Sequence, residues 1–150
     1  VGAGLLQRGW RLAVAESCTG GLVGHWITQQ PGSSAYFVGG VIAYADAVKQ
    51  GLLGVSPNSL AQWGAVSGPV ALEMALGAQR RLGVEAAVSV TGIAGPGGGT
   101  PHKPVGLVFV GIALPGERWV WRARWDGNRA ENKQHSAQFA LERLAWLLRV

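Results

Sequence analysis

"RLAVAES", residues 11–17, runs directly into "CTGGLVGHWITQQ", residues 18–30, and the reading of this junction decides the fold. The first segment is apolar without strict alternation, the mark of a strand buried on both faces. The second reads as a helix, with Ser17 or Thr19 near its cap. A buried strand feeding a helix is the opening of an α/β unit. The junction also holds the only cysteine of the chain, Cys18. A lone cysteine in an intracellular enzyme is a candidate nucleophile, and so is a serine on a sharp strand-to-helix turn. The stretch by itself leaves Ser17, Cys18 and Thr19 open.

Working outward, Leu5 and Leu6 end a short helix stopped at Gly9. Downstream, "YFVGGVIAY" (36–44) is β-branched and aromatic, a second strand. "ADAVKQGLLG" (45–54) is a short helix, and Ser56-Pro57 opens another with a cap followed by proline. Residues 67–83 form a longer helix capped by Ser67, with Val70, Met74, Ala78 and Leu82 on one face. "AAVSVTG" (86–92) is a third strand, followed by the irregular glycine-rich "IAGPGGGTPHKP". "VGLVFVGIAL" and "RWVWRARW", joined by a turn at Pro115-Gly116-Glu117, read as an antiparallel hairpin. Residues 128–149 form a long helix with Ala137, Leu141, Leu144 and Leu148 as its buried stripe. The order predicts an α/β fold: a three-layer α/β/α sandwich with a mixed, mostly parallel sheet, a C-terminal β-hairpin and a long last helix. Without a repeat or linker, residues 1–150 read as one domain. The opening "VGAGLLQRGW" reads as the middle of a helix, as in a piece cut from a longer fusion protein.

The bulk numbers narrow the class. Hydrophobic residues make up 48% and charged residues 14%, which argues against disorder. One cysteine cannot form an internal disulfide. The sequence holds no apolar run long enough for a transmembrane helix and no signal-peptide pattern, so no membrane partner is expected. Of the net charge of +5, four units fall in residues 118–149, where seven basic residues stand against Asp126, Glu131 and Glu142. A basic tail can mark nucleic acid, but no nucleic-acid motif accompanies it. A solvated helix face or a site for a small anion are the other readings.

Sites in such sheets form at the carboxyl ends of parallel strands. The residues there are Glu16 to Gly21 after the first strand, then Tyr44, Asp46 and Lys49 after the second. Thr91, Gly92 and the loop from Gly95 to Thr100 follow the third. A serine hydroxyl needs a base. None of His25, His102 and His135 stands at a strand end. Lys49 does, and a lysine with a lowered pKa can serve as base to a serine. Gly20-Gly21 at a helix start and the loop containing Gly97 and Gly98 offer backbone N–H groups to an anion. The glycines match neither a P-loop nor a dinucleotide fingerprint. One cysteine and three scattered histidines have no zinc spacing, and Glu16 with Asp46 is a thin pair for Mg²⁺. No metal or cofactor is expected.

Taken in order, "AESCTGG", "PGSSAYFVGGVIAY", "YADAVK", "LLGV", "GAVS" and "VTGIAGPGGGTPHKPVG" resemble the CinA C-terminal domain family, whose enzymatic members are nicotinamide mononucleotide amidohydrolases. The similarity runs from about residue 5 to about residue 148. It implies a cytoplasmic bacterial protein that self-associates into a homo-oligomer, with members occurring alone or behind a fused N-terminal domain. It implies hydrolysis of the carboxamide of nicotinamide mononucleotide to nicotinate mononucleotide and ammonia, without metal or cofactor. Carried onto this chain, Ser17 would be the nucleophile, Lys49 its base and Tyr44 a support for the pair. Thr91 would act near the reacting amide, Thr19, Gly20 and Gly21 would line the pocket, and Arg129 would hold the phosphate. Asp46 stands where the family usually has Asn, Gly68-Pro69 where acidic residues are common, Asn128 in place of Asp, and Lys133 near a second basic position. The other function to weigh is a catalytically weak domain acting through a protein partner in competence or DNA-damage response.

Overall fold

The structure, a computed structural model, describes residues 1–149. In chain order the elements are α1 (Gly2–Arg8), β1 (Leu12–Glu16), α2 (Leu22–Thr28), a 3₁₀ turn (Ser33–Ala35), β2 (Phe37–Ile42), α3 (Asp46–Leu53), α4 (Pro57–Trp63), α5 (Gly68–Leu82), β3 (Ala86–Gly92), β4 (Leu107–Leu114), β5 (Glu117–Arg124) and α6 (Arg129–Leu148). The strands form one mixed sheet in the order β2-β1-β3-β4-β5. β1 pairs parallel with both β2 and β3, whereas β3–β4 and β4–β5 pair antiparallel.

The period-two alternation of β1 and β3 feeds two cores. Leu12, Val14, Val88 and Val90 pack with Leu5, Val23, Ile27, Leu144 and Leu148 beneath α1, α2 and α6. Ala13, Ala15 and Ala87 face Leu53, Val70, Met74 and Ala78 of α3 and α5. The second face is built from small residues, so α5 lies close to the sheet. The Ser89 hydroxyl donates to the Ala71 carbonyl at 2.5 Å, across the gap between β3 and α5. A Cβ on Gly111 would collide with that same carbonyl.

Caps follow the sequence at several ends. Ser56 and Ser67 accept from backbone N–H groups two and three residues on, and each has proline in the first turn of its helix. Asn128 and Glu131 form a reciprocal capping box at the start of α6. Three details differ from the sequence reading. α2 begins at Leu22 rather than Cys18, because residues 17–21 wind into a turn with Gly20 and Gly21 at positive φ. β4 begins at Leu107 rather than Val105. Before it, Gly106 sits at φ 89° with its open side against the Trp125 backbone, where a side chain could not fit. In α6 it is Ala140, with Ala137, Leu144 and Leu148, that is fully buried, and Leu141 is only half-buried. Among the described residues no helix is long and apolar enough to cross a membrane.

Because β2, β1 and β3 run parallel, their carboxyl ends meet at one edge of the sheet, with Glu16 in register with both Ile42 and Val90. α3 is held over that edge by α5. Gly77 of α5 has no side chain where a Cβ would strike the Leu53 carbonyl oxygen of α3. Gly77→Ala should therefore destabilise the protein by roughly 2 kcal/mol through overpacking, read as a fall of several degrees in Tm by calorimetry.

Candidate active site

The turn after β1 is organised by a carboxylate. Glu16 is 1% exposed. It accepts hydrogen bonds from the Thr19 hydroxyl at 2.6 Å and from the N–H groups of Gly21, Val23 and Gly24 at 3.2, 2.9 and 3.0 Å. These are the first free donors of α2, the usual seat of an anion at a helix start. Glu16 fills that seat, so neither Ser17 nor Thr19 caps the helix. The Ser17 backbone continues the sheet, donating to the Val90 carbonyl at 2.9 Å, which leaves its side chain at the mouth of the crevice.

Lys49 reaches the same point from α3. The residue is 1% exposed. Its Nζ donates to Ser17 Oγ at 3.0 Å, to the Ala43 carbonyl at 2.8 Å and to the Tyr44 carbonyl at 2.9 Å. Burial drives its pKa below the ordinary lysine value. The nearby Asp46 carboxylate and the Cys18 thiol pull the other way. An ammonium shut away from water loses hydration that two carbonyls only partly replace, which favours the neutral amine. In that form the two N–H bonds satisfy the two carbonyls, and the lone pair is left for the serine O–H.

Ser17, Cys18, Tyr44, Asp46, Lys49, Thr91, Gly97, Gly98 and Arg129 all border one cavity of about 270 Å³, with Ala65 and Val66 on its far wall. Thr91 is 1% exposed and donates from its hydroxyl to the Ala65 carbonyl at 2.9 Å, tying β3 to that wall. Tyr44 is 64% exposed. Its phenol oxygen accepts from Arg129 Nη2 at 3.4 Å, while Arg129 Nη1 donates to the Gly95 carbonyl at 2.7 Å. Thr19, Gly20 and Gly21 do not border the cavity. Thr19 is 1% exposed, with its hydroxyl bound to Glu16, and the two glycines shape the turn behind Ser17. Among the described residues no three His, Cys, Asp or Glu side chains group as metal ligands do.

Cys18 borders the cavity, yet burial pushes its thiol pKa up to about 12. A thiol held protonated is not a nucleophile at neutral pH. Two contributors escaped the sequence reading. Glu16 was read there as a strand-end carboxylate, and the signal for its role was the pair of glycines four and five residues on. Asn132 is buried in α6, donates to the Ala94 carbonyl at 3.0 Å and accepts from the Gly127 N–H at 3.0 Å, fixing the glycine loop. No local pattern marks it, because both partners are distant or in a loop.

Fold and site together define a class: a three-layer α/β protein with a buried serine–lysine pair at the ends of its parallel strands. The chain belongs to the CinA C-terminal domain family, whose model matches residues 1–148. It is 56% identical over 146 residues to a CinA-like protein of a Synechococcus strain, covering 96% of this chain and 35% of that protein. The chain thus spans about a third of the length of the curated relatives it matches. Among solved structures it is similar to a CinA superfamily protein from Klebsiella pneumoniae, with a TM-score of 0.94, 33% identity and coverage of 98% and 92% of the two chains. It is also similar to the competence/damage inducible protein CihA from Agrobacterium tumefaciens, with a TM-score of 0.93, 41% identity and coverage of 97% and 89%.

Two outcomes follow from this geometry. Glu16→Ala leaves three backbone donors and one hydroxyl without their acceptor, and chemical denaturation should show a loss of roughly 3 kcal/mol. Cys18 in the native protein should react with iodoacetamide at pH 8 at least ~100-fold more slowly than in the denatured chain, followed by mass spectrometry.

Proposed function

We propose that the protein hydrolyses the carboxamide of nicotinamide mononucleotide, giving nicotinate mononucleotide and ammonia by a serine–lysine mechanism. The observation that carries this reading is the 3.0 Å contact between Lys49 Nζ and Ser17 Oγ, with the amine already held by two carbonyls. The specific substrate comes from the family resemblance.

Ser17 Oγ attacks the carboxamide carbon while neutral Lys49 takes its proton. The tetrahedral oxyanion needs donors aimed at it, and each is worth roughly 3–4 kcal/mol of barrier. The N–H groups of Gly97 and Gly98 in the cavity wall are the candidates. Lys49 then returns the proton to the departing nitrogen, and ammonia leaves. Water attacks the acyl ester with Lys49 again as base, and the acid is released. Tyr44 supports the pair twice, through its carbonyl to Lys49 and its phenol to Arg129. Thr91 keeps the Ala65 wall against the reacting group. Arg129, charged and partly tethered, holds the phosphate, whose binding orients the amide from a distance.

The test is incubation with nicotinamide mononucleotide and assay of both products. Ser17→Ala and Lys49→Met should each lower kcat by at least ~10³-fold, while Arg129→Ala should act mainly by raising KM. Protonated Lys49 cannot accept a proton. Activity should therefore rise with pH through the Lys49 pKa, at a point below the ordinary lysine value of 10.5. A wild-type protein that releases no ammonia at high enzyme concentration would refute the reading.

A further inference from the structure

Cys18 and Gly95 each bring an unused main-chain donor to the cavity wall. Both residues are buried and both border the cavity, and among the described residues neither N–H finds an acceptor. A buried N–H left unpaired is rare in a folded protein. Gly97 and Gly98 stand farther out on the loop, exposed to solvent, and a donor aimed at charge is worth more where water is excluded.

Each of the two buried N–H groups is aimed by the carbonyl of its own peptide. In a planar trans peptide C=O and N–H point in opposite directions. The Ser17 carbonyl accepts from the Gly20 N–H at 3.1 Å, inside the turn behind the serine, so the Cys18 N–H points out of that turn. The Ala94 carbonyl accepts from Asn132 Nδ2 at 3.0 Å. Asn132 belongs to α6, is 2% exposed and stands outside the cavity lining, so the Gly95 N–H points forward, away from Asn132. Asn132 is itself held. Its Oδ1 accepts from the Gly127 N–H, and its carbonyl accepts from the Ser136 hydroxyl, which accepts in turn from Trp125 Nε1. The two donors also lie close in the fold. Cys18 follows the serine, and a Cβ on Gly92 would come within 3.2 Å of Cys18 Sγ, where the chain leaves β3 for Ala94 and Gly95.

We propose that Asn132 is a positioning residue: by holding the Ala94 carbonyl it turns the Gly95 N–H into the cavity, where that donor and the Cys18 N–H together receive the oxyanion formed at Ser17. This rests on the amidase reading. When Ser17 Oγ bonds to the carboxamide carbon, the electron pair of the C=O π bond moves onto oxygen, and negative charge forms there. Donors fixed before that moment need no reorganisation as the charge appears. A glycine peptide is readily turned over, and a carbonyl in place of the N–H would repel the oxyanion. Asn132 blocks that rotation.

Diisopropyl fluorophosphate bonds phosphorus to Ser17 Oγ as fluoride leaves and the serine proton passes to Lys49. It sets a phosphoryl oxygen where the oxyanion would form. The adduct is confirmed by mass spectrometry and read by ¹H–¹⁵N NMR, without turnover. In the wild type the Cys18 and Gly95 amide protons should move downfield more than those of Gly97 and Gly98. In Asn132→Leu the Gly95 shift should be lost while the Cys18 shift stays. In the same variant kcat for nicotinamide mononucleotide should fall by at least ~10-fold with KM unchanged. Should that variant not fold, Asn132→Asp, which keeps an acceptor for Gly127 and loses the amide donor, takes the same readings. Unmoved Cys18 or Gly95 amides in the wild-type adduct, a Gly95 shift that survives the substitution, or a rise in KM with kcat intact would each overturn the proposal. A wild type that forms the adduct and releases no ammonia would overturn the amidase reading alone, and a Ser17 that takes no phosphorus would overturn both.

Discussion

Burying one amine organises the upper end of this sheet. A lysine taken out of water must find acceptors or give up its charge. Lys49 has two main-chain acceptors, the carbonyls of Ala43 and Tyr44, which stand directly before Ala45, the N-cap of its own helix. The bend from β2 into α3 therefore serves the side chain that α3 carries inward. Its third neighbour is Ser17 on the adjacent strand end. The requirement reaches further into the fold. α3 must sit low enough to bring Nζ to the sheet edge, which in turn requires the close crossing at Gly77 and the small residues of β1 and β3 beneath α5.

A buried carboxylate divides the labour. A helix start left open beside Ser17 would attract any anion that entered the crevice. Glu16 occupies the start of α2 with its own carboxylate, leaving no vacancy there for a phosphate. The cation available to the cavity is instead Arg129 at the start of α6, on the side facing Tyr44 and Gly95. The geometry thus sets the Ser17–Lys49 contact and the Arg129 guanidinium at different places on the wall of one cavity.

Much of the architecture was legible because it rests on local pattern. Strand β1 showed as an uninterrupted apolar run, α5 by its cap and repeat, and the β4–β5 hairpin by its turn. The residues converging on the crevice could be named because parallel strands bring their carboxyl ends together. Proximity within that set could not be read. The spacing from Ser17 to Lys49 is compatible with many distances, and only the packed position of α3 makes it 3.0 Å. The expectation for Thr19, Gly20 and Gly21 as pocket wall followed the motif, whereas the geometry places them behind the serine. The difference lies in Glu16, a carboxylate whose burial no periodicity announces.

Arg129 adds a consequence for the chain entropy of the cavity. It joins the start of the last helix to Gly95 and to Tyr44, partners 34 and 85 residues earlier in the chain. Ser17 and Lys49, by contrast, are 32 residues apart. The contact from α6 to Tyr44 therefore closes a loop more than twice as long as the one that brings the serine to the amine. Longer loops cost more entropy to close, though the cost grows only slowly with length. The side of the cavity that α6 supplies is thus the costlier one to hold shut, and its hold rests on the docking of that last helix.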